Sequence, residues 1–202
     1  MTKRVLVAMS GGVDSSTAAW LLKQQGYACI GATMRLHDSA VHDDVADAQS
    51  VAERLGIPFH VFDFRAEFDA LVKRNFADTY AKGDTPNPCI QCNRFLKFGK
   101  LLETAEELGC DYIATGHYAR IEQLPNGRWG LRKGAETARD QSYFLSLLTQ
   151  RQLSRVLFPL SEVPKAEVRR IAEEQGFISA RKRDSQDICF VPDGDYVRFL
   201  ED

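Results

Sequence analysis

Behind the apolar run Val5-Leu6-Val7-Ala8-Met9 the chain reads Ser10-Gly11-Gly12-Val13-Asp14-Ser15-Ser16. No other stretch constrains the fold as much. A short apolar run bounded by glycines reads as a buried strand, and a helical pattern from Thr17 to Gln25 follows it. A strand, a tight glycine turn and a helix N-terminus together make an anion site. Unpaired backbone N–H groups point outward there, and the helix dipole favours negative charge. Gly11 and Gly12 let the backbone approach a phosphate closely. Ser10, Ser15 and Ser16 can donate hydroxyl bonds to its oxygens. Asp14 is the odd member, because a carboxylate repels a phosphate, and a Mg²⁺ ion between the two removes the conflict. The plainer reading of the same residues is a serine-rich helix cap on a tight turn.

The rest of the pattern alternates. Ala28 to Met34 and Phe59 to Phe64 read as further strands. Between them Asp43 or Asp44 can cap a helix bearing Val45, Ala48, Val51, Ala52 and Leu55, ended by Gly56 and Pro58. Phe68, Leu71, Val72, Phe76 and Tyr80 form a helical stripe expected to be core. Asn93 can cap a helix to Leu108, and Tyr112 to Thr115 is a fourth strand. This alternation predicts an α/β fold, a parallel sheet with helices on both faces, plus a C-terminal helical segment. Ligands of such sheets bind at the carboxyl ends of the strands. The Ser10–Ser16 loop, Met34 with Arg35, and Gly116 with His117 should therefore converge. Beyond them Ala119 to Leu124 and Arg128 to Arg132 flank Pro125-Asn126-Gly127, a hairpin signal. Residues 140–148 read as strand or helix, and Lys165 to Gln175 as a helix. The expected division is residues 1–163, a nucleotide-binding catalytic domain, and 164–202, a basic helical segment continuing it. Phe199-Leu200-Glu201-Asp202 sits inside an apparent helix, an ending that reads as a cut between domains.

Net charge is −2 over 202 residues, so no global nucleic-acid signature exists. Charge is nonetheless uneven. Residues 36–80 hold nine acidic and four basic side chains, whereas 151–183 hold eight basic and four acidic, including Arg169, Arg170, Arg181, Lys182 and Arg183. On charge alone that basic stretch reads equally as a solvated helix face or a polyanion footprint. Arg94, Lys97 and Lys100 recur on one helix face with the same two meanings. No run reaches membrane-spanning length and no signal-peptide pattern opens the chain, so a cytoplasmic location without membrane contact is expected.

Five cysteines, an odd number in a chain without a signal peptide, argue against a structural disulfide framework. Cys29 and Cys110 lie in apolar runs and read as inert core. Cys89 and Cys92 form a CxxC in a loop fixed by Pro86 and Pro88 at a helix N-terminus, a place expected to lower a thiol pKa. The pair is a redox site, or two metal ligands with the distant Cys189 as third, or a structural coincidence.

Ser10–Ser16 is neither a Walker P-loop nor GxGxxG. It resembles the PP-loop of the ATP pyrophosphatases, which holds the pyrophosphate end of ATP while AMP passes to a substrate. Five further segments add to it: TPNPCIQCN from Thr85, ATGHYAR from Ala114, RDQSYFL from Arg139, LFPL from Leu157 and DSQDICF from Asp184. In this order they are similar to the tRNA-specific 2-thiouridylase family, from Arg4 to the last residue. The resemblance implies an adenine-nucleotide alpha-hydrolase-like fold and sulfur placed on C2 of the wobble uridine of tRNA. It implies ATP with Mg²⁺, and tRNA plus a sulfur-donor protein or sulfide as partners. The chain is expected to act as a monomer and to be without the two smaller C-terminal domains of the family. Residue by residue it implies that Ala8, Met9, Ser10, Gly11, Gly12, Val13, Asp14 and Ser15 cradle ATP, with Met34 and Gly116 contacting the nucleotide. Asn87, Pro88 and Cys89 match the segment that meets the target base, and Arg139, Asp140 and Gln141 a tRNA-contacting segment. Cys92 matches the catalytic nucleophile and Cys189 the persulfide carrier.

A uridine carbonyl oxygen is a poor leaving group, and adenylation makes AMP the leaving group. A persulfide on Cys189 then attacks C2, or releases sulfide when Cys92 attacks it, and Cys92 and Cys189 end as a disulfide. Many family members carry Asp where this chain has Cys89. Related thiolases with a CxxC and a distant Cys hold a [4Fe–4S] cluster, so Cys89, Cys92 and Cys189 are candidate cluster ligands in competition with the persulfide relay. His117 is expected to orient its loop rather than to catalyse. Two other readings stand beside thiolation: another PP-loop adenylating ligase or synthetase, and a non-catalytic RNA-binding or cluster-carrying module.

Overall fold

The computed structural model describes residues 2–37, 42–182, 188–191 and 194–201. Five strands form one parallel sheet: β1 Arg4–Ala8, β2 Ala28–Arg35, β3 Phe59–Asp63, β4 Tyr112–Ala114 and β7 Val156–Leu157. Their order across the sheet is β3-β2-β1-β4-β7. β1 is central, with Val5 opposite Cys29 on one side and Tyr112 on the other. Its side chains alternate between faces. Val5, Val7 and Met9 join a core with helix α1 (Val13–Gln24), helix α2 (His42–Leu55) and a later helix, Lys165–Glu174. Leu6 joins a second core on the opposite face, with Phe98, Leu101, Leu102 and Ile113. That alternation is why the sheet is covered on both faces, as the sequence pattern predicts.

Two long helices follow β3: α3 over residues 65–81 and α4 over residues 88–107. Both contain a wider π turn, Asp69–Lys73 in the first and Cys92–Lys100 in the second. In the α3 stripe Phe68, Val72 and Phe76 are buried, but Leu71 is exposed and Tyr80 only half-buried, so the stripe is narrower than expected. α4 begins one turn earlier than the sequence suggests. Asn87 caps it, its Oδ1 accepting the Ile90 N–H at 3.4 Å with Pro88 in the first position. Asn93 is therefore not a cap but a buried mid-helix residue. α1 likewise starts at Val13 rather than Thr17, and α2 is helical from His42, so Asp43 and Asp44 lie in its first turn rather than before it.

β5 (Ala119–Gln123) and β6 (Trp129–Lys133) form the expected antiparallel hairpin, with Gly127 at φ +78° in its turn. Thr137–Arg139 and Ser142–Leu145 are 3₁₀ turns, so this segment is neither strand nor α-helix. Helix α5, Lys165–Glu174, packs on α1, where the Thr17 hydroxyl donates to the Val168 carbonyl at 3.2 Å. A last helix, α6, spans Tyr196–Glu201. Among the described residues no helix is long and apolar enough to cross a membrane.

Candidate active site

The loop after β1 is held from below and left open above. Thr33 of β2 donates its hydroxyl to the Met9 carbonyl at 2.6 Å, and Met9 N–H reaches the Ala32 carbonyl at 2.7 Å. Ser15 and Ser16 turn their hydroxyls back onto the Gly12 carbonyl, at 3.1 and 2.9 Å. Ser15 Oγ also accepts the Ser10 N–H at 3.1 Å. These serines fix the loop itself, so only Ser10 is left exposed to offer a hydroxyl. The first intrahelical bond of α1 is Ser16 N–H to Gly12 at 3.2 Å, so the amides of Val13, Asp14 and Ser15 precede the ladder. Gly11 adopts φ +73°, and a Cβ there would run into the Asp44 backbone of α2. Gly116, after β4, sits so close that a Cβ would lie 2.8 Å from the Asp14 carbonyl carbon and the Ser15 nitrogen. Gly116 thus meets the Ser10–Ser16 loop, as expected. Met34 lies near the carboxyl end of β2, two residues beyond the Ala8–Ala32 pair.

Asp14 has a partner that the sequence did not suggest. Lys165 Nζ lies 2.6 Å from Asp14 Oδ1 and 2.8 Å from Oδ2, and only 5% of Lys165 is exposed. Tyr118, also buried, donates its hydroxyl to Asp14 Oδ1 at 2.8 Å, and burial together with that carboxylate pushes its pKa far up. The conflict between a carboxylate and a phosphate is therefore relieved here by a lysine. As placed, the carboxylate fits an ammonium rather than a metal ion. Lys165 opens α5, and a cation in a first helical turn opposes the helix dipole. That mismatch is the one sign of it in the sequence. The backbone N–H of Lys165 donates to Glu136 Oε2 at 2.7 Å, and Glu136 pairs with Arg139 at 3.4 Å. Nearby, Lys182 Nζ pairs with Asp44 at 2.8 Å and with Asp47.

Two of the cysteines are core residues, as expected. Cys29 and Cys110 are buried, and burial raises both thiols, Cys29 to about 11. Cys89 is exposed in the first turn of α4, and Cys92 opens the π segment. Cys92 belongs to a small core with Phe68, Val72 and Leu96, against which Leu36 and Phe190 pack. Phe190 in turn stands edge-on to Phe68 at 5.6 Å and to Phe76 at 5.3 Å and contacts Phe199 at 5.1 Å. This aromatic cluster brings Cys189 to the other two thiols: Cys89 and Cys189 both act electrostatically on Cys92, and Cys89 on Cys189. The expected depression of thiol pKa is not found. Burial pushes Cys92 up to about 11, and burial with the neighbouring Cys89 raises Cys189, with Lys97 opposing both shifts. All five thiols are free, and among the described residues no three Cys, His, Asp or Glu side chains are arranged to hold a metal ion. The three thiols gather without forming the cage that a [4Fe–4S] cluster requires. Asp184, Ser185, Gln186 and Asp187, and with them Arg183, lie outside the described residues.

The remaining predicted contacts are mostly framework. Gln141 Oε1 accepts the Tyr118 N–H at 3.0 Å, and Gln141 N–H returns to the Tyr118 carbonyl at 2.9 Å. Asp140 accepts from the Gly134 amide at 3.2 Å and the Ser142 hydroxyl at 2.7 Å. His117 accepts or donates at Nδ1 to Thr115 Oγ1, 2.7 Å away, and is wedged between Phe98 and Phe158. Burial drives its pKa well below 6.5, so the ring is neutral and serves to orient its loop. The basic stretch is largely self-paired: Arg169 donates to the Ala180 and Lys182 carbonyls, and Arg170 pairs with Glu167 and Glu174.

A phosphate-ready loop at the centre of a parallel sheet, with a glycine strand end packed on it, defines an adenine-nucleotide alpha-hydrolase-like protein of the PP-loop type. The chain belongs to the family described as "tRNA methyl transferase HUP domain", which matches residues 3–193. It is 51% identical over 214 residues to the tRNA-specific 2-thiouridylase MnmA of Geobacter metallireducens, covering 99% of this chain and 58% of that protein. It is 54% identical over 205 residues to the protein of the same name from Syntrophotalea carbinolica, covering 98% and 58%. The chain thus spans less than two thirds of the length of these relatives. Its fold resembles that of a 4-thiouridine synthetase solved with RNA and bound ATP, with a TM-score of 0.60 and 22% identity, over 93% of this chain and 44% of that one. It also resembles NMN synthetase from Francisella tularensis, at a TM-score of 0.57 and 18% identity, over 91% and 66%.

Proposed function

We propose that this chain is the ATP-activating, sulfur-transferring portion of a tRNA 2-thiouridylase. The observation that supports the reading is that Phe190, next to Cys189 and far from Cys92 in sequence, packs on the small core that contains Cys92. An adenylating ligase that makes amides needs no such pair. Around them we assign residues 164–202 to the same catalytic domain, since α5 supplies Lys165 to Asp14. Cytoplasmic location and a monomeric chain complete the reading.

ATP enters as its Mg²⁺ complex, with its phosphates on the Gly11–Ser15 amides and Lys165 and Asp14 beside them. Uridine O2 attacks the α-phosphorus, the α–β bond breaks, and pyrophosphate leaves with its charge met by the amides at the α1 N-terminus. The N3 proton departs as O2 is adenylated. A persulfide, delivered to Cys189 by a persulfide-bearing donor, attacks C2 through its terminal sulfur, and AMP leaves. Cys92, as thiolate, attacks the inner sulfur of Cys189 and breaks the S–S bond. The sulfur stays on C2, N3 regains a proton, and a Cys92–Cys189 disulfide remains for an external dithiol to reduce. Lys97, which draws the Cys92 pKa downward, is the cation placed to favour that thiolate. Cys89 supports a second reading, a cluster on Cys89, Cys92 and Cys189, because it acts electrostatically on both other thiols. That cluster requires the three sulfurs to close together beyond their present arrangement.

The test is nucleoside mass analysis of tRNA after incubation with the chain, MgATP and a persulfide donor, with AMP counted in parallel. One AMP per 2-thiouridine supports the reading. AMP formed without thiolated uridine, or neither product, overturns it.

A further inference from the structure

The 3₁₀ turn Ser142–Leu145 packs against the start of α4, which carries Cys89 and Cys92, and bears an exposed aromatic ring. Tyr143 is 64% exposed, the highest exposure of any aromatic among the exposed large apolar residues described, and Leu147 near it is 43% exposed. The backbone beneath Tyr143 is clamped from several directions. Leu145 is fully buried, Phe144 N–H donates to the Gln141 carbonyl at 3.1 Å, and Ser142 is tied to Asp140 at 2.7 Å. The Asn93 side chain, one residue past Cys92, donates to the Phe144 carbonyl at 3.0 Å. That bond sets the Tyr143–Phe144 step alongside residues 92–93 of α4. Tyr143 and Phe144 stand nearly perpendicular, with centroids 5.7 Å apart, so the neighbouring ring limits the freedom of Tyr143.

On this clamped turn the Tyr143 ring is held exposed, so its face is open to a ligand. Its surroundings identify the ligand chemistry. Arg94, exposed on α4, lies 4.8 Å from the Phe95 centroid, and Arg139 is 42% exposed on the preceding turn. The two carboxylates of this segment, Glu136 and Asp140, are engaged by Lys165, Arg139, Gly134 and Ser142. Flat aromatic surface on a segment that also carries exposed Arg139, with Arg94 exposed on the adjoining helix and the segment's carboxylates bonded within the chain, suits single-stranded nucleic acid: bases stack on the ring and phosphates meet the cations.

Resting on the thiolation reading, we propose that Tyr143 is the stacking platform for a base next to the uridine on which the thiols act. A flipped-out uridine leaves its neighbour without a stacking partner, and Tyr143 replaces it. The tie from Asn93 to the Tyr143 turn holds the platform and the Cys92 helix in one register, so stacking on one positions the uridine at the other.

The experiment uses an anticodon-stem-loop hairpin carrying 2-aminopurine on either side of the wobble uridine, in two separate RNAs. Its fluorescence falls on stacking. With the unaltered chain, one of the two RNAs should be quenched. Tyr143→Phe should keep both quenching and affinity. Tyr143→Ala should abolish quenching and weaken binding by about 5- to 150-fold, with an unchanged thermal midpoint. Tyr143→Leu should resemble Tyr143→Ala, separating stacking from apolar contact. Equal affinity and equal quenching in Tyr143→Ala overturn the inference alone and leave thiolation untouched. Failure of the unaltered chain to bind either hairpin overturns the inference together with the reading beneath it.

Discussion

The phosphate loop and the thiol site are built in opposite ways. The loop is local: Ser10, Gly12, Ser15 and Ser16 bond among themselves within seven residues, and β2 supports them through Thr33. The thiol site is assembled from a distance, by Phe190 packing on Phe68 and Phe76 of α3. The loop offers pre-aimed amides. Cys92 and Cys189 are held protonated, burial raising Cys92 to about 11. Under the proposed function the difference separates two tasks. Charge stabilisation on ATP depends on a rigid backbone already in place, whereas a sulfur relay benefits from thiols that stay protonated until substrate arrives.

The largest effect should come from severing the long-range ion pair between Lys165 and Asp14 in the phosphate half. Lys165→Met leaves the Asp14 carboxylate without its ammonium partner, and breaking such a largely buried pair costs about 3 kcal/mol. The urea midpoint should fall and pyrophosphate release should stop. Asp14→Asn added to it should recover part of the stability but not the activity. A Lys165→Met protein of unchanged stability would contradict the pairing. Gly116→Ala comes next. Its Cβ would meet backbone of the loop at 2.8 Å, a contact no side-chain rotation relieves, costing about 1–3 kcal/mol and weakening ATP binding in calorimetry while thiol reactivity stays as it was.

On the thiol side, Phe190→Ala removes a half-buried ring from the aromatic cluster, a loss of about 2 kcal/mol. Iodoacetamide labelling of the buried Cys92, on whose core Phe190 packs, should accelerate at least several-fold, with ATP binding unaffected. Unchanged labelling would show that something other than Phe190 covers Cys92. The smallest effect is in pH. A thiol whose pKa is raised on folding, as Cys92 is from 9.0 to about 11, keeps its proton in the native state when the unfolded chain has lost it. The associated stability is complete below pH 9 and is lost as pH rises towards 11. Cys92→Ser should make the alkaline loss of stability shallower, and Cys29, raised to the same level, accounts for much of what remains. A slope unaffected by Cys92→Ser would place that thiol in water.

The phosphate half is largely legible in the amino-acid sequence, because a strand, two glycines and a helix start write an anion site into consecutive residues. Its missing piece, Lys165, sits on another helix far along the chain. Only its place in a first helical turn, against the dipole, hints at it. The alternating core is legible for the same reason, since Val5, Leu6 and Val7 send successive side chains to opposite faces. In the thiol half the motif is visible but its electrostatics are not. A helix start at Asn93 puts Cys92 at an N-terminus, where thiols acidify. The Asn87 cap moves the helix start back, and Cys92 becomes a buried residue whose pKa rises. Burial of this kind depends on Phe68, Val72 and Phe190 together, and no local pattern reports it.

The central claim is that Cys92 and Cys189 alone transfer sulfur to an ATP-activated uridine. The most direct test is single-turnover thiolation of tRNA with MgATP and a persulfide donor, in the presence of an iron chelator, by the unaltered chain and by Cys89→Ser. Mass analysis of nucleosides and of the protein reads both products at once. The relay predicts 2-thiouridine and a Cys92–Cys189 disulfide in equal amounts from both proteins. Thiolation that vanishes with the chelator and with Cys89→Ser would contradict it.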